Sequence, residues 1–271
     1  MIELLAPALA ACLLLACILS YFGLHVLLRE VIFVDLALAQ LAALGAAVGH
    51  LLSGHTDSSS TYLASFGFTL AGAAIFAMAR PARTRLPQEA LIGIVYGVSA
   101  ALVILVVSKS ALDRDDVESM LTGRLLFANW SEIGVMVLVF AAVALLHCMM
   151  WRQFLEISQK ARSAAPASRR RMLLDFVFYA SFGVAVTSAV QLAGVLVVFG
   201  LLIVPASCAA IFFATISRRL LAGWLIGTIA CSAGVAASAF WDLPTGAAVV
   251  TALGFAFALA VLGSIFSHAP D

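Results

Sequence analysis

Long blocks of apolar residues, separated by short polar connections, dominate the pattern of this chain. A helix that crosses a membrane needs about 20 mostly apolar residues, and inside lipid only helices or closed barrels satisfy the hydrogen bonds of the backbone. The pattern therefore predicts an all-α polytopic membrane protein with eight or nine transmembrane helices, forming one domain over residues 1–271. The blocks lie at 4–28, 31–52, 61–79, 88–108, 131–151, 173–190, 192–214, 220–240 and 245–266.

The counts of eight and nine helices differ in how the two blocks between residues 173 and 214 cross the membrane. No charged residue separates them. They form either two complete spans or one span followed by a re-entrant segment that breaks near Pro205.

Composition agrees with a lipid environment. Apolar residues make up 64% of the chain and charged residues 11%, against roughly 45–50% and 25% in soluble domains. The excess apolar surface must therefore face lipid. A net charge of +1 gives no reason to expect a nucleic-acid partner.

Basic residues fall in alternate connections between the apolar blocks. By the positive-inside rule those connections are cytoplasmic. The acidic connection at 111–119 then faces outward, and the C-terminus lies inside. The cytoplasmic basic positions number twelve of the fifteen: Arg29, Arg80, Arg83, Arg85, Arg152, Lys160, Arg162, Arg169, Arg170, Arg171, Arg218 and Arg219.

The sequence contains no motif for ATP hydrolysis or for proteolysis. It has only two lysines, neither preceded by glycine, and it lacks Gly-x-x-x-x-Gly-Lys-Ser/Thr, His-Glu-x-x-His and Gly-x-Ser-x-Gly. We therefore expect a protein that is not an enzyme and binds no cofactor of its own.

Asp35 is the main candidate for function inside the membrane. It lies between Val34 and Leu36, near the middle of the second apolar block, and Gln40 follows five residues later. An ionisable residue inside a span is costly and is a functional candidate for that reason. The alternative is an ion pair of Asp35 with Arg29 or with another arginine at the cytoplasmic end of the spans. Glu89 and Asp175 begin their helices, where a carboxylate complements the helix dipole.

Two further segments attract attention. His50 and His55, with Asp57, cluster at the outer end of the second block and could form a site where a transition metal enters; the alternative is a solvated loop. The connection at 152–172 begins with Phe154, Leu155 and Ile157 amid charges, which predicts a short surface helix. That helix either docks a soluble partner or merely anchors the loop.

Four blocks of sequence resemble the zinc, manganese and iron family of bacterial ABC importer permeases. Each block is weak alone, but their order and spacing are specific, and the similarity covers nearly the whole chain. The blocks are residues 27–45 (LLREVIFVDLALAQLAALG), 88–96 (QEALIGIVY), 191–206 (QLAGVLVVFGLLIVPA) and 242–246 (DLPTG).

The resemblance implies a permease domain of the compact fold shared with vitamin B12 permeases, in the bacterial plasma (inner) membrane. It implies a homodimer, a cytoplasmic ATP-binding subunit and an extracytoplasmic solute-binding protein as partners. The segment 152–172 would couple the permease to the ATPase through Phe154, Leu155 and Glu156. The expected function is import of zinc, manganese or iron; the alternatives are import of a metal chelate or cofactor and, less well supported, an ion-coupled carrier.

One departure from the family affects the metal site. Family members carry Asp-Ala-x-Ser-His-Ala-x-x-Pro-Gly on the second span, and the Asp and His are thought to bind the ion. Aligned on Gly45, the family His falls on Gln40 and the family Asp on Leu36, so Asp35 is displaced by one position. The resemblance therefore carries over only Asp35 and Gln40 as metal ligands, and a residue five positions along a helix points about 140° away.

Overall fold

A computed structural model describes residues 2–53, 59–78, 87–108, 125–161 and 168–267 of the chain. Within these residues every regular element is helical, which confirms the predicted fold class. The helices are α1 (Ile2–Arg29), α2 (Val34–Ser53), α3 (Ser59–Met78), α4 (Gln88–Val107), a 3-10 turn (Leu125–Phe127), α5 (Trp130–Met149), α6 (Trp151–Gln159), α7 (Arg169–Phe212), α8 (Ile216–Trp241) and α9 (Thr245–Ser267).

Eight helices in the described part of the chain are long and apolar enough to cross a membrane. They are all the α-helices except α6, which has nine residues. Parts of the predicted topology cannot be followed in the structure, because the arginines at 80, 83 and 85 and the acidic residues at 113–118 lie outside the described residues.

The longest helix, α7, consists of two helical segments joined at Gly194. Its 44 residues would extend about 66 Å as one straight helix, roughly twice the thickness of the hydrocarbon core. Gly194 has φ 78° and ψ 160°, a conformation that glycine adopts without the steric cost of a side chain. The break therefore falls near the start of the second of these two apolar blocks, at its third residue. The alternative of a break near Pro205 is wrong, since the helix continues through that residue.

The chain forms two compact units. The first contains α1 as far as Leu27, the 3-10 turn, α5 as far as Ala144, and the chain from Ser188 onward. Small residues bring its helices together: a Cβ on Gly227 would lie 3.3 Å from Ala16 Cβ and from Pro205 Cγ. Close backbone approach of this kind is a main source of helix association in lipid.

The second unit contains Arg29, α2, α3, α4 and α6, together with α5 from Leu145 and α7 as far as Thr187. Gly45 lets α2 approach α3, because a Cβ there would lie 2.5 Å from the carbonyl oxygen of Ala64. Aromatic side chains fill the interior of this unit: Phe76, Phe154, Phe178, Tyr179 and Phe182 are fully buried.

Candidate functional site

Asp35 lies in the first turn of α2 and not near the middle of the helix. Helix α1 ends at Arg29, and Glu30 turns the chain with φ 56°. Helix α2 begins at Val34, with the N–H of Ala37 donating to the carbonyl of Phe33. The prediction that Asp35 lies near the middle of the helix was wrong. Residues 31–33 are apolar and were counted as part of the span, whereas in the structure they belong to the turn between α1 and α2.

The Asp35 carboxylate is buried, with 1% of the residue exposed. Its Oδ1 has no hydrogen-bond partner among the described residues. The described part of the chain also supplies no ion pair to Asp35.

Glu89 lies in the first turn of α4 and is half-buried. Its Oε1 accepts a hydrogen bond of 3.2 Å from the N–H of Phe33, two residues before Asp35. Its Oε2 has no hydrogen-bond partner in the described part. Sequence reasoning assigned Glu89 only to the helix dipole, and nothing in the local sequence indicated that α4 begins beside the turn between α1 and α2.

Arg29 pairs with Asp175 and not with Asp35, so the predicted alternative of an Asp35–Arg29 pair is wrong. The guanidinium of Arg29 is buried, and its Nη1 lies 2.9 Å from Oδ1 of Asp175 on α7. Its Nε donates to Oγ of Ser158 at 2.9 Å, and its Cζ lies 3.8 Å from the ring centroid of Phe178. A buried arginine with a carboxylate, a hydroxyl and an aromatic face is well compensated.

The predicted coupling segment contains α6, whose faces differ sharply. Phe154 is 0% exposed and packs against the rings of His147 and Phe178, at centroid distances of 4.5 and 5.7 Å. Leu155 is half-buried, and Glu156 is exposed. Of the three residues predicted to reach a partner, Glu156 is thus the one on the surface, whereas Phe154 anchors α6 within this chain.

The surface of α6 is polar and charged. Glu156 Oε1 accepts a hydrogen bond of 2.7 Å from Nζ of Lys160, one turn later. This hydrogen bond and the positive charge of Lys160 hold the pKa of Glu156 below its usual value. Arg152 and Gln159 are exposed as well.

The remaining predicted ligands lie further along α2 or outside the described residues. Gln40 is half-buried further along α2. His50 is half-buried at the far end of α2, and its Nδ1 has no hydrogen-bond partner in the described part. His55 lies outside the described residues. No group of three or more His, Cys, Asp or Glu side chains able to hold a metal occurs within the described ranges.

The eight apolar helices, with ionisable groups buried among them, define an integral membrane protein. The profile of the ABC 3 transport family matches residues 1–264. The chain belongs to this family, and it is the multi-pass permease subunit of an ABC transporter in the bacterial plasma (inner) membrane.

Similar proteins agree with this assignment over most of their length. The high-affinity zinc uptake system membrane protein ZnuB of Haemophilus influenzae is 26% identical over 266 residues, which cover 96% of this chain and 98% of ZnuB. The manganese transport system membrane protein MntC of Listeria monocytogenes is 25% identical over 230 residues, covering 82% and 80%.

The fold also has a counterpart among solved structures. PsaBC from Streptococcus pneumoniae, in complex with a Fab, matches with a TM-score of 0.75. The match covers 95% of this chain and 91% of that chain at 20% sequence identity. At this identity the likeness shows that the fold is shared.

Proposed function

We propose that this permease imports a divalent transition-metal ion (zinc, manganese or iron) and that Asp35 and Glu89 form the negatively charged point of its pathway. Membership of the ABC 3 transport family and the zinc and manganese systems among its relatives support the substrate class. The importer would comprise this chain, a second copy, a cytoplasmic ATP-binding subunit and an extracytoplasmic solute-binding protein.

The observation that carries the proposal is a buried carboxylate without an ion-pair partner. Asp35 is 1% exposed, and its Oδ1 lacks a hydrogen-bond partner in the described part of the chain. A second carboxylate, Glu89, accepts a hydrogen bond from the N–H of Phe33, two residues before Asp35. A passing divalent cation would lower the free energy of both groups, since buried charges persist only when they are paired or coordinate metals.

The donor set also bears on the choice of ion. Asp35 and Glu89 supply carboxylate oxygens, and Gln40 would supply an amide oxygen in place of imidazole. Oxygen donors suit manganese, whereas imidazole and thiolate suit zinc. Two carboxylates leave most coordination positions to water, which keeps binding weak enough for release. We therefore place Mn²⁺ ahead of Zn²⁺ as the preferred ion.

The exposed face of α6 is the proposed contact with the ATP-binding subunit. Arg152, Glu156 and Gln159 lie on this face. Phe154 fixes the helix from the opposite side and would not reach the partner, because its side chain has no exposed surface. Charged and polar groups on a rigidly held helix suit a contact that must form in the correct register.

Replacing Asp35 with Asn tests the pathway, because this change removes charge and preserves shape. For Asp35→Asn we expect ⁵⁴Mn²⁺ uptake by proteoliposomes that contain the complete importer to fall more than about tenfold, since loss of a charged ligand costs more than about 1.4 kcal/mol. Glu89→Gln should reduce uptake less. Ser99→Ala, which removes a buried hydroxyl from α4, is the control and should leave uptake unchanged.

Assembly with the ATP-binding subunit is measured in the same preparations by co-purification. Normal ⁵⁴Mn²⁺ uptake by an assembled Asp35→Asn importer would contradict the pathway assignment. Uptake of a chelated metal without any uptake of the free ion would instead contradict the proposed substrate class.

A further inference from the structure

Arg29 joins two parts of the second unit that are far apart in the sequence. It is the last residue of α1 and is 7% exposed. Its Nε donates to Oγ of Ser158, a residue of α6 that is 0% exposed, over 2.9 Å. The helix proposed to contact the ATP-binding subunit is therefore tied from its buried side to the end of α1.

The same guanidinium is held on its other edge by α7. Nη1 lies 2.9 Å from Oδ1 of Asp175, and the ring of Phe178 covers the plane at 3.8 Å. Nη2 has no hydrogen-bond partner in the described ranges. Arginine presents its donors in a rigid planar fork, so Ser158 and Asp175 together fix both the position and the rotation of this group.

A short turn connects Arg29 to the carboxylate pair. Residues 30–33 separate α1 from α2, and Glu30 holds the turn with φ 56°. The N–H of Phe33 donates to Oε1 of Glu89 at 3.2 Å, and Asp35 follows two residues later. Displacement of Arg29 would thus move the backbone that holds Glu89 and precedes Asp35.

We propose that Arg29 is a positioning residue for coupling: it transmits movement of α6, through its fork to Ser158 and Asp175, to the Asp35–Glu89 site. This inference rests on the proposed function for the identity of α6 as the ATPase contact. A charge-assisted hydrogen bond in a buried setting is costly to break. Movement of α6 is therefore expected to carry Arg29 with it and shift the turn, while α6 and Arg29 remain bonded.

Ser158→Ala tests the link, because it removes the bond to Nε and leaves the Arg29–Asp175 pair in place. In the complete importer we expect metal transported per ATP hydrolysed to fall about tenfold, the equivalent of one charged hydrogen bond, while ATP hydrolysis continues. Arg29→Lys should reproduce this loss, since lysine keeps the charge but cannot form both bonds.

Thr69→Val is the matched control. Thr69 is a buried residue of the same unit, and its hydroxyl donates only within α3, to the carbonyl of Ser65 at 2.9 Å. Valine keeps the methyl group that contacts Gly183. This variant should keep the normal ratio of transport to hydrolysis, because no bond between helices is lost.

A second readout does not depend on which ion moves. Phe33 is exposed, so Phe33→Cys, in a chain whose native cysteines are replaced, can be labelled with a maleimide with and without ATP. We expect nucleotide to change the labelling rate in the assembled complex and Ser158→Ala to abolish that change. An unchanged nucleotide response in Ser158→Ala, or none in the parent, would overturn the coupling role of Arg29. A failure of Mn²⁺ uptake alone would count against the proposed substrate.

Discussion

The two compact units differ in what they bury. Among the described residues, the first unit buries three polar side chains, those of Ser20, His25 and Ser238, and no Asp, Glu, Lys or Arg. The second unit buries Arg29, Asp35, His147 and Asp175 together with several hydroxyl groups. The ionisable groups of the interior are therefore concentrated in one unit.

Packing in the first unit relies on small residues and on hydroxyl bonds to the backbone. Ser20 Oγ donates to the carbonyl of Gly223 at 3.2 Å, and Ser238 Oγ donates to that of Leu243 at 2.7 Å. Such bonds satisfy buried groups without charge. The first unit is therefore held together by uncharged contacts, whereas the second contains the buried charges on which the proposed pathway depends.

The largest effect on stability should follow from Asp175→Ala in the second unit. The change leaves the buried guanidinium of Arg29 without its carboxylate, and breaking a buried ion pair costs about 3–5 kcal/mol. We expect a strongly lowered melting temperature of the detergent-solubilised permease. The double variant Arg29→Met with Asp175→Leu should recover most of the loss, since no charge remains unpaired. A double variant as unstable as the single one would show that charge is not the cause.

An intermediate effect is expected in the neutral unit from Gly234→Ala. A Cβ at Gly234 would overlap the backbone of Val249 on α9, and overpacking costs about 1–3 kcal/mol. Gly254→Ala is the control, because a Cβ there meets open space and alanine favours a helix by about 1 kcal/mol. Thermal unfolding should show a lower melting temperature for Gly234→Ala alone. Equal decreases in melting temperature for both variants would mean that close packing does not hold this unit together.

The smallest effect should come from Glu156→Gln on the exposed face of α6. Lys160 lowers the pKa of Glu156 in the folded protein below the ordinary pKa of 4.5. The pair therefore stabilises the fold at pH values above 4.5, and this stabilisation disappears as the pH falls through the pKa of Glu156 in the folded protein. Because both side chains are exposed, we expect no measurable change in melting temperature at pH 7. The affinity of the permease for the ATP-binding subunit should change. A lower melting temperature with unchanged affinity would mean that Glu156 stabilises the fold and does not contact the partner.

Local patterns in the sequence were sufficient for the elements of the fold. Apolar blocks of about 20 residues predicted the spans, because the thickness of the bilayer fixes the length of a crossing helix. Apolar residues amid charges at 154–157 predicted the short helix α6. The position of the break in α7 did not follow from these patterns, since proline is the usual signal for a break and the structure breaks at Gly194.

The sequence by itself determined that this chain is a helical membrane permease and which ionisable residues lie within its apolar blocks. Only the tertiary structure decided their partners: Arg29 pairs with Asp175, 146 residues away, and Glu89 accepts a hydrogen bond from the backbone N–H of Phe33, two residues before Asp35. Hydropathy and helix periodicity depend on neighbours within a few turns. The pairing of buried charges depends on which helices pack together, and that packing is set by close contacts such as the one that Gly45 permits between α2 and α3.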